Sequence, residues 1–139
     1  RRMIEECPDV YFEITPTVSI MNIYHLPDFH KNWVERGLLE PQNVRMNILT
    51  YPTEYRAQII PLNKRHIFID KYTNHIKWID DNFGDGAAKR GFESVLDFLQ
   101  QENYENLIPD FVDRNTPLDN LRGESLYQVA PELKFLEEI

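Results

Sequence analysis

Only two stretches of this chain read as β-strand, and a helix-forming segment stands between them. In residues 10–23, Val10, Tyr11, Phe12, Ile14, Thr17, Val18 and Ile20 favour extended backbone, while Pro16 divides the run, so a strand is expected near 17–23. The second covers 43–51 (NVRMNILTY) and is stopped by Pro52. Between them Pro27 suits a first helical turn, Asp28 complements the dipole, Phe29, Trp33 and Val34 keep helical spacing, and Gly37 suits the stop. A strand, a helix and a second strand in that order predict a parallel pair joined by a crossover. Two strands cannot close a sheet, and their open edges invite pairing with something else. The chain also begins with Arg rather than Met. Both features fit a fragment or a missing start.

The rest of the sequence is helical. Pro61 opens a stretch reaching about Trp78, with Ile69, Tyr72, Ile76 and Ile79 as its buried stripe. Residues 80–86 (DDNFGDG) read as a turn, and Phe92, Val95, Leu96 and Leu99 mark the next amphipathic helix. Thr116-Pro117-Leu118-Asp119 has the pattern of a capping box that starts a further helix, and Pro131 opens a last one over 131–138. The expected fold class is α/β: a small strand–helix–strand–helix unit over 10–82, then a helical tail over 83–139, within a single domain 1–139.

Charge and cysteine content exclude several functions. The chain has 23 acidic residues against 15 basic ones and a formal net charge of −8, so it lacks the Lys/Arg stripe that nucleic acids or anionic membranes require. The best basic cluster, Lys64-Arg65-His66, reads as solvated surface. No apolar run is long enough to span a bilayer. The single cysteine, Cys7, permits neither an intramolecular disulfide nor a two-cysteine metal knuckle, which points to a reducing, cytoplasmic setting.

Constellations for chemistry are sparse. His25 and His30 are five apart, too far round a helix to share a ligand face, and read as a helix-start residue and a partly exposed imidazole; His66 and His75 read as surface. The 80–86 turn fails as a calcium loop, because Phe83 stands where an acid is needed and Glu93 comes one residue late. Cys7 lies beside Glu5 and Glu6, which disfavour a thiolate. No catalytic or metal-ligating residue is assigned. The best ligand candidates are Asn22 and Thr50-Tyr51, because parallel α/β proteins bind ligands at the carboxyl ends of their strands.

The same stretches carry a family resemblance. Residues 18–33 (VSIMNIYHLPDFHKNW), 43–60 (NVRMNILTYPTEYRAQII) with Pro61, and 124–136 resemble, in this order, the C-terminal portion of radical-SAM proteins of the twitch-domain type. The resemblance implies the end of a partial triosephosphate-isomerase-like barrel, with S-adenosylmethionine and a [4Fe–4S] cluster bound by the full-length parent. It also implies that Asn22, Leu49, Thr50 and Tyr51 face the S-adenosylmethionine side. The cluster motif C-x-x-x-C-x-x-C is absent, and three thiolates are needed. The chain is therefore expected to be catalytically incompetent alone, with no cofactor of its own. The alternative is a non-enzymatic interaction module. Expected partners are a second copy or the N-terminal remainder of the parent. The 43–51 strand is the expected contact, since nothing evident in the sequence covers Val44, Met46, Ile48 and Tyr51.

Overall fold

The computed structural model describes residues 2–137. In chain order the elements are α1 (Arg2–Glu6), β1 (Thr17–Val18), α2 (Leu26–Glu35), β2 (Asn47–Ile48), α3 (Arg65–Phe83), α4 (Ala87–Gln101), α5 (Ile108–Arg122) and α6 (Leu126–Val129). Short 3₁₀ turns lie at Thr53–Tyr55, Ala57–Ile59, Leu62–Lys64, Glu105–Leu107 and Pro131–Leu136. The architecture is mostly helical, with two short strands that pair in parallel, Thr17 opposite Asn47 and Val18 opposite Ile48. Ile14 and Val44 add a bridge upstream.

β1 stops well before the expected Ile23. The Ser19 carbonyl accepts the N–H groups of Asn22 and Ile23, and the Ser19 hydroxyl accepts that of Met21, so the chain turns at once toward α2. α2 follows the sequence reading. It ends where Gly37 takes φ 68°, a left-handed value that glycine adopts without Cβ strain, and the N–H of Leu38 returns to the Trp33 carbonyl.

α3 and α4 pack together through matching stripes. Phe68, Tyr72, His75 and Ile79 of α3 are buried, as are Ala88, Phe92, Val95 and Leu99 of α4. Each of the large apolar groups contributes roughly 1.5–3 kcal/mol by leaving water. The predicted α3 stripe is therefore rotated by one residue: Ile69 and Ile76 pack only at its margin, while Phe68 and His75 take the centre. α3 also runs to Phe83, so the expected turn shrinks to residues 84–86.

The Thr116-Pro117 capping box does not start a helix. Pro117 sits inside α5, where the Asn115 amide donates to the Phe111 carbonyl and the Thr116 hydroxyl to the Val112 carbonyl. Those side-chain bonds hold the turn on either side of the missing proline N–H. The last element, Pro131–Leu136, is a 3₁₀ turn rather than an α-helix, and Glu138 lies outside the described residues.

One cluster of buried side chains runs from Val18 to Leu136 and so joins the strand–helix unit to the tail. α4 packs against the first half of the 43–51 stretch, contrary to the sequence expectation there: Val44 is buried, and a Cβ on Gly91 would stand 3.1 Å from Met46 Cγ, while Tyr51 stays exposed as expected. Among the described residues, no helix is long and apolar enough to cross a membrane.

Candidate functional site

Because β1 and β2 run parallel, their carboxyl ends lie side by side, and the segments carrying Asn22 and Leu49, Thr50 and Tyr51 leave from the same end. Asn22 is fully occupied there. Its Oδ1 accepts the Ser19 N–H at 2.9 Å, its Nδ2 donates to the Thr17 carbonyl at 2.8 Å, and its carbonyl accepts from His25 and Leu26. Leu49 serves the ladder, donating its N–H to the Val18 carbonyl. Thr50 and Tyr51 are exposed, Tyr51 by 83%. Of the four candidates, these two present side chains that a ligand could reach.

Charged groups border this end. Three residues past Asn22, His25 Nε2 lies 2.7 Å from Glu132 Oε1, close in distance but not aligned as a hydrogen bond. Three residues past Tyr51, Glu54 pairs with Arg114, whose guanidinium also sits over the Tyr55 ring. Hydrogen bonding from its own backbone N–H, then from Arg114, holds the Glu54 carboxyl below the usual carboxylate range. Lys71 bonds Asp28 at 2.6 Å and lies over the Tyr24 ring at 3.5 Å.

The most unusual polar group is elsewhere, between α2 and α3. His30 Nδ1 and His75 Nε2 are 2.9 Å apart, and both rings are buried. The sequence reading left His30 partly exposed and placed His75 on the surface; both expectations fail. His30 Nε2 lies 3.0 Å from the Pro41 carbonyl, which can only accept, so that nitrogen carries the proton. In the neutral pair His30 Nδ1 is then the acceptor, and His75 Nε2–H the donor. Trp78 stacks on His75, and Phe92 meets it edge-on. Burial lowers both imidazoles, taking His75 to about 3 with help from its His30 neighbour. The pair is a neutral core hydrogen bond at physiological pH.

Arg65, read from the sequence as surface, is buried as well. Its guanidinium donates to the carbonyls of Ile60, Leu99, Gln58 and Glu102, at 2.7–2.9 Å. Two of these carbonyls, Leu99 and Glu102, belong to the carboxyl end of α4, where a cation complements the helix dipole. Burial pushes the guanidinium below its ordinary range. His75 had a usable sequence signal, since it stands three residues after Tyr72 and four before Ile79 on the buried stripe. Arg65 had none, because its four acceptors are backbone atoms.

Clefts open elsewhere on the surface. The first, about 320 Å³, separates α1 and Cys7 from residues 37–43. Another, about 730 Å³, lies between Pro61–Lys64 and Glu105–Pro109, with Phe135 as an apolar wall. A third, about 400 Å³, follows β2 beside α4. Asn22, Leu49, Thr50 and Tyr51 line none of these three. Among the described residues, no group of three or more His, Cys, Asp or Glu is arranged to hold a metal ion. No protein-family model, curated protein or solved structure matches the chain.

Proposed function

We propose that this chain is the C-terminal portion of a radical-SAM-type protein of the twitch group, not competent for catalysis by itself. The reading takes β1 and β2 as the last strands of a partial triosephosphate-isomerase-like barrel. Their ends then border the S-adenosylmethionine or substrate side of a site completed by upstream sequence. The observation that carries it is the parallel pair joined through α2, with both carboxyl ends, and hence Thr50 and Tyr51, emerging together. In that role Tyr51 offers an aromatic face and a hydroxyl, and Thr50 a second hydroxyl. Asn22 acts indirectly, by fixing the turn out of β1.

A [4Fe–4S] cluster does not fit this chain, since Cys7 supplies one thiolate where three are needed. Cluster chemistry would belong wholly to the upstream segment. The test is to read the coding sequence upstream and express the complete polypeptide. A C-x-x-x-C-x-x-C motif within one barrel length is expected, with S-adenosylmethionine binding weakened at least tenfold by Thr50→Ala/Tyr51→Ala. Absence of the motif, or unchanged binding in the double variant, overturns the reading.

A further inference from the structure

We propose that the open edge of β2, with the α4 face beside it, is an acceptor for an extended acidic peptide segment, which adds to the sheet as a third strand. The inference does not depend on the radical-SAM reading.

The ladder leaves one side of β2 free. The N–H groups of Arg45, Asn47 and Leu49 donate to the carbonyls of Ile14, Pro16 and Val18. In a parallel pair the alternate residues turn their polar groups the other way. Met46 and Ile48 thus direct two N–H and two C=O groups toward a half-buried margin, past the buried Val44, and none of them bonds another backbone group among the described residues. The β1 margin is closed by contrast. Asn22 satisfies the Thr17 carbonyl and the Ser19 N–H, and the Ile20 N–H donates to the Tyr55 carbonyl. Strand addition therefore has one side available to it, and an upstream barrel strand of the proposed parent would have to use that side or displace these β1 contacts.

The space beside that side suits an extended chain. The cleft of about 400 Å³ runs between β2 and the α4 residues Ala87, Gly91 and Ser94, whose small side chains leave room for alternate residues of an incoming strand. Its charge selects the partner. Arg45 and Arg90 line it against a single carboxylate, Glu13, on a chain of net charge −8. Both arginines are exposed and held in long surface ion pairs, Arg45 with Glu13 at 3.7 Å and Arg90 with Asp85 at 3.8 Å, which closer carboxylates of an incoming strand can replace. A second copy of this chain would bring Arg45 and Arg90 against their own equivalents. An acidic strand meets no such repulsion.

The probe is a fluorescein-labelled Thr-Glu-Val-Glu-Val-Glu peptide, with a lysine-for-glutamate version and a backbone N-methylated version as controls. Fluorescence anisotropy at low salt should show saturable binding of the acidic peptide alone. Amide exchange should show new protection at Met46 and Ile48. Arg45→Glu/Arg90→Glu should weaken the acidic peptide at least tenfold and admit the lysine peptide; Ser94→Trp should block both. Each variant is first checked for unchanged thermal unfolding, and Arg45→Glu alone serves if the double variant is unstable. The proposal is overturned by no saturation up to millimolar peptide, by equal binding of the N-methylated control, or by protection elsewhere. It also falls if sedimentation finds a dimer that Ser94→Trp abolishes, for then a second copy occupies the edge.

Discussion

His30 and His75, 45 residues apart in sequence, share one hydrogen bond of 2.9 Å at the contact between α2 and α3. The pair works as a tautomeric lock. The Pro41 carbonyl fixes the His30 proton on Nε2, which leaves Nδ1 to accept from His75. Charging His30 would require His75 to reverse its tautomer, and charging both would set two N–H groups against each other. The core tolerates the neutral pair because its polar atoms satisfy one another amid Trp78 and Phe92.

The lock makes stability depend on pH. Both imidazoles titrate below their unfolded value of about 6.5. Above that pH neither state binds the proton, and the contribution is complete. As pH falls through it, the unfolded chain takes up protons that the native pair refuses, so stability drops. For His75 the loss approaches about 1.4 kcal/mol per pH unit and continues toward its native value of about 3, and His30 adds to it in the same direction. Urea unfolding at pH 6.5 and 5 should show this fall, and His75→Phe should reduce its slope. An unchanged slope in that variant contradicts the lock.

Arg65 gives a second test. Its four carbonyl partners join the end of α4, the 57–60 segment and the Arg65 turn, with no carboxylate among them. Arg65→Met leaves these buried acceptors without their donor, at a cost of roughly 3–5 kcal/mol. Arg65→Lys should recover only part of this, because one ammonium cannot span four acceptors in a planar fan. Denaturant unfolding of the three proteins gives the order; equal stability of the lysine variant would refute the fork geometry.

How far the sequence reached depended on the kind of interaction. α2 and α4 were legible because proline, glycine and apolar spacing are local signals, and the parallel pair followed from element order alone. The α3 register was missed by one residue because a histidine was assumed to face water, and its partner His30 is remote in sequence. The Thr116-Pro117 start failed for a related reason. Local propensity there yields to side-chain bonds from Asn115 and Thr116 within a helix that has already begun at Ile108. At the strand ends the reading located Asn22, Thr50 and Tyr51. Only the geometry reveals that Asn22 spends its amide on β1 itself.

Pro117 predicts a gain. It is exposed and inside α5, where its ring removes the N–H that would reach the Asp113 carbonyl. Alanine restores that bond and has the higher helix propensity, so Pro117→Ala should stabilise the chain by roughly 1–3 kcal/mol. A rise in melting temperature checks it. A fall would mean that the proline is needed for the packing of α5.

Gly86 predicts a loss of a different origin. Its φ of 174° is ordinary extended backbone, so no conformational strain is involved. The obstacle is Gln42, whose Oε1 would stand 2.3 Å from a Cβ at position 86. That same oxygen accepts the Ala88 N–H at 3.0 Å and so caps the first turn of α4 from the segment leading into β2. Gly86→Ala must displace the Gln42 amide and with it the cap, at about 1 kcal/mol. Gln42→Ala should cost a similar amount, and the double variant little more than either, since both changes remove the same contact. A double-mutant cycle by urea unfolding decides this: fully additive losses would show that Gly86 and Gln42 act independently.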